Sequence, residues 1–178
     1  MSNKVISTLI LFLLIPVLTI SQGNTNFDGR WTILKEKSSE IGLYEALSID
    51  IQQRGAEITI IHKWGTSRSF SDTLKLKTDR SIISEPIKDR VFPTNVFMGL
   101  ALPVGTTRRI KAGWEKNALK LEEQFLIRGS QGEFPLSCIH TYELSPDTLL
   151  IYKIHRSTRK SGPDVKYILK REGGRNAY

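Results

Sequence analysis

The sequence predicts an all-β protein, an antiparallel up-and-down β-barrel of eight to ten strands. Three observations carry that reading. Apolar residues recur with period two in one short segment after another. Tight turns built on Gly, Asn, Asp and Pro separate those segments. No convincing amphipathic helix interrupts them. A meander of short strands has two edges to hide, and closing the sheet on itself removes both. A two-sheet sandwich is the alternative, but its long crossovers are harder to place here.

The chain has 178 residues, room for one domain behind a targeting segment. "MSNKVISTLILFLLIPVLTISQG" carries Lys4, then an apolar run from Val5 to Ile20, then small residues around Ser21 and Gly23. That is the layout of a secretory signal peptide, and the run falls short of the roughly 20 residues that span a bilayer. The expected division is a signal peptide over 1–21 and one barrel domain over 22–178, the mature protein being periplasmic or secreted. No cysteine lies near the junction, so no stable membrane anchor is expected after cleavage.

The domain opens with "NFDGRWTILKEKSS", a polar arm followed by Gly29 and Trp31 on a first strand. "ALSIDIQQ" alternates strictly, Leu47, Ile49 and Ile51 against Ser48, Asp50 and Gln52, and "EITIIHKW" follows after Arg54-Gly55-Ala56 as its hairpin partner. "LKLK" (Leu74 to Lys77) ends at the turn "TDRS". In "RRIKAGWEKNALKLEEQFLIRG", Ile110, Ala112 and Trp114 share a face, Lys116-Asn117 turn the chain, and Leu119, Leu121, Glu123 and Phe125 continue with period two. "SCIHTYELSPDTLLIYKIHRS" repeats the pattern around Ser145-Pro146-Asp147, and "DVKYILKRE" closes the series. The segment from Ser84 to Thr107, with its prolines and an apolar patch over 96–102, resists the alternation. It is expected as a partly extended stretch folded across one end.

Cys138 is the single cysteine, so no disulfide holds the domain and its core and sheet must do so. The formal net charge is +8. The cations are scattered, which reads as solubility, with one dense run in the basic turn 156–160. No Gly/aromatic module accompanies that run, so no nucleic-acid partner is expected. There is no G-x-S-x-G, no H-E-x-x-H, no Cys–His signature and no glycine-rich phosphate loop. The sequence therefore nominates no catalytic residue and no cofactor. His62, His140 and His155 lack ligand spacing, so no metal is expected either.

Gly29-x-Trp31 at the start of the first strand, with a meander ending in "YILKRE", resembles the lipocalins and related calycin barrels. The nearest likeness is to exported bacterial lipocalin-like proteins whose mature chains open with a GxW…(E)KS pattern, here "GRWTILKEKSS". The resemblance implies that Trp31 plugs the narrow end of the barrel and that a basic residue of the last strand lies across its ring, Arg171 first and Lys170 second. It also implies a carrier of small molecules. No Thr-Asp-Tyr motif follows later in the chain, the nearest text being "IHTYELS".

If the apolar faces point inward, strand parity puts His62, Glu123 and His140 among them. The expected function is binding of a small hydrophobic or amphipathic molecule, with an anionic head as one option. His62, Trp114, Glu123, Phe125, His140, Tyr142 and Tyr152 are the candidate ligand contacts. The alternative is a cell-envelope interaction module with a filled barrel, meeting its partners through the apolar loop 96–102 or the basic turn.

Overall fold

The computed structural model describes residues 26–39, 46–88, 91, 105–129, 132–157 and 164–173. The leader, the apolar loop 96–102 and the basic turn beyond residue 157 lie outside the described residues. Ten antiparallel strands form one sheet: β1 (Gly29–Ile33), β2 (Ala46–Arg54), β3 (Glu57–Gly65), β4 (Ser69–Lys77), β5 (Asp79–Pro86), β6 (Thr107–Glu115), β7 (Ala118–Gly129), β8 (Gly132–Leu144), β9 (Leu150–Ser157) and β10 (Val165–Arg171). Their order around the sheet is β4-β3-β2-β1-β10-β9-β8-β7-β6-β5. The meander is thus all but closed into a barrel, with β1 and β10 paired through Trp31↔Arg171 and its neighbours. The remaining break, a seam, falls between β4 and β5, which only Thr78 separates in sequence.

Inward positions alternate as the periodicity predicts. Leu47, Ile49, Ile51, Ile58, Ile60, Ile110 and Leu121 are all buried in one core. Two strands differ from expectation. β4 begins at Ser69, five residues before the apolar pair Leu74 and Leu76 makes it visible. β5 lies where the periodicity predicts no strand, because most of its side chains face solvent and leave no alternating signal.

One end of the barrel is plugged. Trp31 is buried, its indole Nε1–H donates to the Phe27 carbonyl at 2.8 Å, and the Arg171 guanidinium lies 4.6 Å above its ring. Arg171 also donates to the Asn26 carbonyl at 3.0 Å, tying the polar arm down. Lys170, the second choice for that stack, is exposed beside Thr32. Gly29 has a φ of +123°, which side-chain-bearing residues rarely adopt, whereas an added Cβ would meet Arg171 only at an ordinary 3.7 Å. Glycine is needed there for its backbone, not for a close approach.

A second, smaller apolar cluster of Ile87, Val91, Phe125, Ile127, Leu136 and Cys138 fills the other end on the β5–β8 side. Cys138 is a buried core residue.

The plug sets a stability test. Trp31→Ala should lower the unfolding free energy by about 3–5 kcal/mol, and Arg171→Ala by about 1 kcal/mol, since it removes an exposed cation–π contact. Urea denaturation of the two variants checks both values.

Candidate functional site

Between the plug and the second cluster, the barrel carries a belt of buried polar side chains. His62 comes from β3, Asp72 from β4, Arg108 from β6, Glu123 from β7, His140 and Tyr142 from β8, and Tyr152 from β9. Each sits on the inward parity of its strand, so one rule delivers the polar belt and the apolar core alike.

The groups are joined in series. His62 Nε2 lies 2.9 Å from the Tyr142 hydroxyl. Tyr142 and Tyr152 lie against one another, with their rings stacked at 4.5 Å. The Tyr152 hydroxyl is 2.7 Å from His140 Nδ1, and His140 Nε2 is 3.1 Å from Glu123 Oε2. A carboxylate only accepts, so Nε2–H of His140 donates to Glu123. Burial, the largest influence, holds both tyrosine hydroxyls far up in pKa, so they stay protonated.

The series ends on Arg108, which gathers three carboxylates. It donates to both oxygens of Asp72 at 2.8 Å, to Glu85 at 2.6 Å through Nε, and to Glu123 at 3.3 Å. Desolvation works against the guanidinium charge, but the hydrogen bond and attraction of Asp72, followed by Glu123 and Glu85, outweigh it and raise its pKa. Arg108 belongs to β6, Glu85 to β5 and Asp72 to β4. This cluster therefore crosses the seam.

The structure brings five of the seven expected contacts into the belt: His62, Glu123, His140, Tyr142 and Tyr152. Trp114 is only half-buried and stacks on Phe27 at 5.6 Å beside the plug. Phe125 belongs to the second apolar cluster. His155 lies on the outer face, 2.6 Å from Asp164. Sequence reasoning missed Arg108, Asp72 and Glu85. Parity held the signal for two of them, since Arg108 stands two residues before Ile110 and Asp72 two before Leu74.

Tyr142, Tyr152 and Leu121 are 0% exposed and His62 is 1% exposed. The three at 0% touch no water-sized void, so the barrel around them is packed with its own residues. A cavity of about 340 Å³ opens instead at the seam, lined by Ser71, Asp72 and Thr73 on one side and by Glu85, Ile87 and Arg108 on the other, with Pro86, Lys88 and Val91. A larger volume, about 670 Å³, lies outside the plugged end among side chains such as Arg30, Asp50 and Glu172. Among the described residues, no set of three His, Cys, Asp or Glu side chains converges to hold a metal ion.

No protein-family model matches the chain, and no curated protein is significantly similar to it in sequence.

The belt makes the fold acid-sensitive. Burial, reinforced by His140, lowers the His62 pKa from 6.5 to about 3. The unfolded chain takes up this proton near pH 6.5, whereas the folded chain refuses it until about pH 3. The contribution is intact above pH 6.5 and is lost at about 1.4 kcal/mol per pH unit as the pH falls through that window. His62→Gln should flatten the stability profile between pH 6 and 4 by roughly that slope, as read from urea midpoints at a series of pH values.

Proposed function

We propose that this is an exported binding protein that takes a small amphipathic molecule at the seam between β4 and β5, rather than along the tyrosine-filled axis. The observation that carries this reading is the 340 Å³ cavity lying against the buried Arg108 cluster, at the break in the ring of strands. Ligand sites are concave, with an apolar wall and a few convergent polar groups. Here Pro86 supplies apolar surface, with Ile87 and Val91 buried behind it, and Asp72, Glu85 and Arg108 supply the polar groups.

The cluster itself supports the assignment. A buried ion pair contributes little net stability, and well-packed apolar residues of similar volume serve as well or better. Three carboxylates on one guanidinium therefore fix how the strands meet at the seam more than they add to global stability. Their position against open volume gives them something else to do.

A second reading, the filled-barrel interaction module, is favoured by the absence of any water-sized void around Tyr142 and Tyr152. The two readings separate by experiment. Native mass spectrometry of the chain purified from an exporting host, with organic extraction in parallel, should reveal a stoichiometric adduct that extraction removes. Ser71→Trp, at an exposed lining position, should abolish that adduct and leave the melting temperature of the stripped protein nearly unchanged. A clean mass before extraction, together with no thermal stabilisation by amphiphiles, favours the interaction module.

A further inference from the structure

Granted the seam site proposed above, on which this inference rests, the polar groups there also select the head group of the ligand. Arg108 has five N–H donors. Nε is taken by Glu85, Nη1 by Asp72 and Glu123, and Nη2 by Asp72 and Glu85. Every nitrogen of the guanidinium already faces a carboxylate. A ligand carboxylate or phosphate finds no donor there unless it displaces a buried side chain. An anionic head, the option left open by the basic composition, is therefore disfavoured at this site.

The acceptor side is different. Each carboxylate oxygen offers about two lone-pair directions, so Asp72, Glu85 and Glu123 accept more hydrogen bonds than one guanidinium supplies. Of these three side chains, Glu85 is the accessible one, 30% exposed against 8% for Asp72 and 4% for Glu123. It stands at the cavity with Ile87 beyond it along the chain. Among the lining residues Asp72 and Glu85 balance Lys88 and Arg108, and Glu123, held behind Arg108, tips the local charge to the acidic side.

We propose that the seam cavity binds a primary ammonium group, accepted by Glu85 with Asp72 behind it, and that the apolar body of the ligand packs on the exposed Pro86 at the cavity wall. At about 30 Å³ per small group in a liquid, the volume suits a ligand of about ten non-hydrogen atoms. An ammonium donates three hydrogen bonds and carries the charge that the carboxylates attract.

The test uses three probes of equal chain length: octylamine, octanol and octanoate. Each is titrated at pH 7 into the wild-type chain by calorimetry, and also into Glu85→Gln and Ser71→Trp. Octylamine is expected to bind about tenfold more tightly than octanol, consistent with one charge-assisted hydrogen bond, and octanoate to bind most weakly. Glu85→Gln should bring octylamine down to the octanol value. Retained octanol binding in that variant shows that the barrel is intact. Equal affinity for amine and alcohol, or preference for octanoate, overturns the ammonium assignment and leaves the seam site standing. No binding of any probe to the wild type, or binding that survives Ser71→Trp unchanged, overturns both.

Discussion

The structure depends on how Arg108 holds together strands that the backbone leaves apart. Nine strand-to-strand ladders are hydrogen-bonded in order, and the tenth junction, between β4 and β5, is not among them. Two unpaired edges facing each other would take in water and invite other strands. Arg108 reaches from β6 to Asp72 on β4 while holding its cross-strand neighbour Glu85 on β5. A planar guanidinium suits this role, since its fork meets both oxygens of Asp72 at once. The side chain replaces a ladder, and unlike a ladder it leaves room beside it.

The two ends of the molecule then divide their tasks. At the plugged end, Trp31 and Arg171 join the first strand to the last through a buried indole, its hydrogen bond to the Phe27 carbonyl and a guanidinium over the ring. Burial of an aromatic ring is a strong and non-directional source of stability. At the seam, the junction is ionic and directional, and open volume lies against it. Between them, the tyrosines and histidines are hydrogen-bonded or stacked in series and all of them are buried.

Much of this is legible in the sequence, and the exceptions are physically instructive. Wherever one face of a strand is buried, alternation reveals it, as at Leu47, Ile49 and Ile51. Parity alone also places His62, Glu123 and His140 inside. β5 escapes because Asp79 to Ser84 show mostly solvent-facing side chains, so nothing distinguishes them from a loop. Arg108 and Asp72 are hidden for a related reason: charged residues at the end of an alternating run look like the point where the strand stops. Continuing the count two residues past Ile110 and Leu74 finds both. Which junction of the barrel stays open is set by pairing across the whole sheet, and no local pattern encodes it. Trp114 and Phe125 have the right parity but lie at opposite ends of the barrel, and height along the axis is not readable from parity.

Amide hydrogen exchange of Asp72→Asn against the wild type tests the role of Arg108 at the seam most directly. The substitution keeps the side-chain volume, leaves Arg108 with Glu85 and Glu123, and removes only the ionic tie to β4. If that tie holds the junction, protection falls by about tenfold or more in β4 and its ladder with β3 alone, while β1, β2 and β10 around Trp31 keep theirs. Unchanged protection in β4, or a loss spread evenly over all ten strands, would contradict it.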